Sequence, residues 1–162
     1  MKVPQSIVSA ALAAVFALGI NAHAVAAGAA HDHAHDAAAP TQLVLDHGKK
    51  WETDAPLRKR MGEIRSLLAP RIPAIHAGKL SDAEYRKLGA AVEEKVGAIV
   101  AECKLPPEAD AMLHLIVADL VAGADIMQGK AAGKPADGAH KVTTAANAYG
   151  KYFDDKGWKR IG

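Results

Sequence analysis

The sequence is poor in cysteine and aromatic residues, with one Cys, two Trp, three Tyr and two Phe among 162 residues. A lone cysteine, Cys103, excludes an internal disulfide, so packing or a bound group must hold the fold. Charge of one sign is scarce as well: 20 Lys and Arg stand against 18 Asp and Glu. That balance implies no basic patch of the nucleic-acid-binding kind. Catalytic signatures are missing too. There is no Gly-rich phosphate loop, no Gly-x-Ser-x-Gly elbow and no paired acid flanking a His on one inward face, so no enzyme activity is expected.

What is present begins with a leader. Lys2 is the only charge in the first thirty residues, and a largely apolar run from Ile7 to Ile20 precedes Asn21-Ala22-His23-Ala24. The run is shorter than the ~20 residues of a membrane span, and Ala22-x-Ala24 supplies the small residues of a cleavage site. Residues 1–24 are therefore expected to be a signal peptide cut after Ala24, or alternatively after Ala26. The mature protein is then expected in the periplasm, with no membrane attachment. Residues 25–40 are mostly Ala, with His31, Asp32, His33, His35, Asp36 and Pro40 among them. Such a segment has little to bury and reads as a disordered tether. Residues 41–162 remain for one domain.

Helical periodicity dominates that domain. Leu43 to Leu45 lead in, and Thr53 or Asp54 caps a first helix over about 54–77 whose stripe is Leu57, Met61, Ile64, Leu67, Leu68, Ile72 and Ile75. Pro70 and Pro73 should bend its end, and Gly78 should stop it. Ser81-Asp82-Ala83-Glu84 forms a capping box for a second helix, about 81–103, with Tyr85, Leu88, Val92, Val96, Ile99, Val100 and Cys103 inward. Pro106 and Pro107 open a third helix, about 107–128, the most apolar of the set. A Gly- and Lys-rich loop leads to a fourth, about 138–155, which Asp137 is placed to cap. The expectation is an all-α, antiparallel up-down-up-down four-helix bundle.

Two segments carry a resemblance. Leu57-Arg58-Lys59-Arg60-Met61 and Asn147-Ala148-Tyr149-Gly150-Lys151-Tyr152-Phe153 resemble the periplasmic four-helix b-type cytochromes, relatives of cytochrome c-prime. In that class a helix-one Met and a helix-four His grip haem iron. The resemblance sets Met61 at the methionine position, but Gly150 stands where the histidine belongs. No Cys-x-x-Cys-His occurs, which excludes covalent haem attachment. Gly48-Lys49-Lys50-Trp51, Thr53-Asp54-Ala55-Pro56-Leu57 and Gly157-Trp158 are also similar to exported proteins of the DnrO type. The likeness spans about residues 43–158 at the level of organisation.

Soft and nitrogen donors fall in three places. His31-Asp32-His33-Ala34-His35-Asp36 gathers three imidazoles and two carboxylates in six residues, a donor set suited to Cu, Ni or Zn. Its alternative is a solubilising linker. Were cleavage to follow Ala30, the new amino terminus with His33 in third position would form a square-planar copper or nickel site. Met61, Cys103, Met112 and His114 lie toward one end of the bundle, where thioether and thiolate donors suit Cu(I), or simply fill core. His76, Met127 and His140 lie toward the other end. His47 and His114 read as structural. Trp51, Tyr149, Tyr152, Phe153 and Trp158 gather at one end, as a plug or a stacking platform.

The sequence thus points to a non-enzymatic exported bundle that binds a metal ion or a partner, with the tether as the metal candidate. One alternative is a degenerate cytochrome holding haem through Met61, with Tyr149 or water opposite, although haem is not the expected cofactor. Another is a purely structural or partner-binding bundle, with a homodimer formed through the wide apolar arc of the third helix.

Overall fold

Two prolines decide how the first helical stretch is built. In the computed structural model, which describes residues 40–162, α1 (Ala55–Leu68) gives way to a 3-10 turn (Ala69–Arg71) and then to a short α2 (Ile72–His76). The rings of Pro70 and Pro73 would strike carbonyls one turn back, so the expected single helix over 54–77 is broken at its end. α3 (Asp82–Glu102), α4 (Pro107–Gln128) and α5 (Pro135–Tyr152) complete the set. The described residues form an all-α bundle whose strand-like pairings are two isolated bridges. None of its helices is long and apolar enough to cross a membrane.

The helix ends follow local chemistry. Asp54 Oδ1 accepts the Leu57 amide at 2.7 Å, and Ser81 with Glu84 forms the reciprocal capping box. Gly78 and Gly129, at φ 62° and 75°, close α2 and α4 with paired amide-to-carbonyl bonds back into the last turn. α5 departs from expectation at both ends. It starts at Pro135, whose fixed φ suits a first turn, so Asp137 sits inside that turn rather than capping it. It stops at Tyr152 because Phe153 turns extended and pairs with Trp51: the Trp51 amide donates to the Tyr152 carbonyl and the Asp154 amide to the Trp51 carbonyl, each at 2.8 Å.

Polar contacts tie neighbouring helices together. Arg60 reaches Glu102 while Glu63 lies near Lys95. Glu93 near the middle of α3 meets Gln128 and Lys130 at the close of α4. The core runs continuously through Leu57, Met61, Ile64, Val92, Ile116, Leu120, Val142 and Tyr149. Val100 does not join it: this side chain, expected on the buried stripe, is 68% exposed. It lies about 100° around the helix from Ile99, beyond the edge of the packed face.

The tightest crossing is between α4 and α5. A Cβ on Gly123 would meet the Gly138 carbonyl at 2.7 Å, and one on Gly138 would meet the Gly123 carbonyl at 2.6 Å. Backbone therefore lies on backbone there.

Candidate functional site

At the end where α1 begins and α5 finishes, aromatic side chains close the bundle. Tyr149 is fully buried, stacked on Phe153 at 5.5 Å and edge-on to Trp158 at 5.0 Å. Its hydroxyl donates to Asp155 Oδ2 at 3.1 Å. Burial raises the Tyr149 pKa well above the usual phenol range, and the Asp155 carboxylate raises it further. Trp51 covers the same end, its indole N–H donating to the Val44 carbonyl at 2.7 Å. Asn147 holds the tail, since its amide donates to the Ile161 carbonyl and accepts the Ile161 amide, both at 2.9 Å.

These contacts bear on the resemblance to haem proteins. A side chain at Gly150 has no room, because even a Cβ would overlap the Trp158 indole. Met61 and Tyr149 have no solvent-accessible surface, and the Tyr149 hydroxyl is already engaged. As packed, Met61, Tyr149 and Gly150 do not fit a haem crevice.

The soft donors nearby are also occupied. The Met112 sulfur receives the Val44 amide at 3.5 Å, and Met61 is sealed in the core. Cys103 is half-buried at the exit of α3 beside Asp54, whose Oδ2 accepts the Lys104 amide at 2.7 Å. Burial first, and then the Asp54 carboxylate, push the Cys103 thiol up to about 12. A group held as the neutral thiol is a poor nucleophile and a poor metal ligand at neutral pH. Cys103 opens onto a cleft of about 180 Å³ lined by Ile99, Val100, Leu113 and Val117 together with Asp110 and His114, a mixed apolar and polar surface. His114 stands at its rim, with Nδ1 2.9 Å from the Asp110 carbonyl oxygen and 3.3 Å from Asp110 Oδ2.

At the opposite end, the structure brings together two of the three grouped donors. The His76 and His140 rings stack with centroids 5.4 Å apart and planes at 14°. Both are exposed, whereas Met127 is 1% exposed and belongs to the core. His47 lies in a tight turn at φ 48° and lines a cleft with Pro106 and Glu108 at the start of α4. Among the described residues, no three His, Cys, Asp or Glu side chains converge as a metal cage. The tether candidates His31, Asp32, His33, His35 and Asp36 lie outside the described residues.

Sequence reasoning missed the Asn147–Ile161 clasp and the seat of Trp158. An amide beside the inward face of α5 was the only signal for the first. Comparison of the chain with protein-family models, curated proteins and solved structures finds no match.

Proposed function

We propose that this chain is an exported, non-enzymatic bundle of the periplasm that handles a divalent metal ion, with the His31–Asp36 segment as its main binding element. The observation that carries the reading is the donor density of that segment, three imidazoles and two carboxylates within six residues. Neutral imidazole and carboxylate suit Cu(II), Ni(II) and Zn(II). The buried thioethers and the protonated Cys103 thiol favour no competing soft-metal centre in the bundle. The haem alternative through Met61 and Tyr149 meets sealed side chains and an indole seated on Gly150.

Calorimetric titration of the purified protein with Cu(II), Ni(II) and Zn(II) tests this reading. The chain carrying His31→Ala, His33→Ala and His35→Ala should lose the tightest site. Equal affinity in both proteins would refute the tether as the binding element.

A second reading, self-association or partner binding, draws on Val100, an aliphatic side chain 68% exposed beside the mixed cleft that ends at Cys103. Sedimentation of the parent and of Val100→Glu tests the self-association: a dimer that the charge dissolves supports it, and a monomer in both cases removes it.

A further inference from the structure

The geometry points to a second divalent-cation site, separate from the tether, in which His76 of α2 and His140 of α5 share one ion between the two helices. An imidazole nitrogen binds Zn²⁺ at about 2 Å, which places the ring centre about 3 Å from the ion. Two rings sharing an ion at a tetrahedral angle of about 110° therefore have centres about 5 Å apart. The observed separation is 5.4 Å. The rings already stand at the spacing of a shared ligand set, and they differ from it in tilt.

Tilt is the easy coordinate. Both side chains are exposed, and exposed side chains change rotamer on the picosecond-to-nanosecond scale. Turning the near-parallel rings so that one nitrogen of each faces a common point requires no motion of α2 or α5. Two imidazoles with no further His, Cys, Asp or Glu cage among the described residues leave the remaining coordination positions to water. Such an open site takes Cu(II), Ni(II) or Zn(II) and exchanges it readily. It is built from residues 64 apart in the sequence, so the ion crosslinks the end of the first helical stretch to the start of the last.

This site does not depend on the tether, and the test removes the tether's imidazoles first. In the full chain carrying His31→Ala, His33→Ala and His35→Ala, Zn²⁺ is titrated while the imidazole resonances are followed by NMR and the melting temperature is recorded. Two imidazoles should shift together with one saturation curve, and melting should move upward. His76→Gln or His140→Gln should weaken the Zn²⁺ response at least tenfold, whereas His114→Gln should leave it unchanged. A response that survives both His76→Gln and His140→Gln, or that His114→Gln removes, would overturn the proposal. So would resonances of His76 and His140 that stay fixed at millimolar Zn²⁺.

Discussion

The Trp158 indole lies against the backbone of Gly150 so closely that residue 150 cannot carry a side chain while the ring stays in place. Gly150→Ala should therefore destabilise the protein by about 2 kcal/mol, the range for overpacking a filled site. Urea denaturation measures it. Trp158→Ala makes the space, so the double variant should show a smaller added loss from Gly150→Ala than the parent does. Strict additivity would contradict the contact.

Gly123 and Gly138 make the second prediction. Alanine is the better helix former by about 1 kcal/mol, yet at Gly123 its methyl would meet the Gly138 carbonyl and Val142. Overlap with fixed backbone outweighs propensity, and Gly123→Ala should lose about 2–3 kcal/mol in thermal or chemical denaturation. A stabilised variant would show that the helices separate freely.

Alkaline pH should loosen the fold. The Cys103 thiol is raised to about 12 by burial and the Asp54 carboxylate, against about 8.5 in an unfolded chain. The folded state therefore holds this proton more tightly than the unfolded state does. Its contribution to stability is fully present below about pH 8.5 and is lost as pH climbs toward the folded value. Tyr149 and Tyr85 are shifted in the same direction by burial, and add to the loss from about pH 10 upward. The urea midpoint should fall between pH 8.5 and 10, and by less in Cys103→Ser. An identical fall in both proteins would leave Cys103 without this role.

Tyr85 is 5% exposed, and its hydroxyl has no hydrogen-bond partner among the described residues. A buried unsatisfied hydroxyl costs about 1–3 kcal/mol. Tyr85→Phe keeps the ring and removes that group, so it should stabilise by about 1 kcal/mol. A lower melting temperature would mean that the hydroxyl is satisfied in solution.

The sequence exposed most of the fold because its signals were local. The Ser81–Glu84 box, the Asp54 cap and Gly78 each act within one turn of chain, and the structure has them where spacing put them. Val100 and Asp137 were misread because a stripe boundary and a first turn depend on neighbours: Val100 overhangs the packed face, and Pro135 starts α5 early. Gly150 illustrates a deeper limit. Its identity is dictated by Trp158, eight residues on and outside the helix, and no periodicity encodes that contact. His76 and His140 could be assigned to one end of the bundle from helix direction, but their stacking required coordinates.

The bare-backbone crossing of α4 and α5 leaves no side chains between the two helices at that point, so this small protein should be unevenly stiff. Those two helices act as a spar, while α2, five residues strung between a 3-10 turn and Gly78, is the lightest fitting hung beside it. His140 belongs to the spar and His76 to the fitting. An ion shared between them would moor one to the other, and its arrival would register as slower hydrogen exchange at the Ala77 and Lys79 amides, far from the aromatic plug.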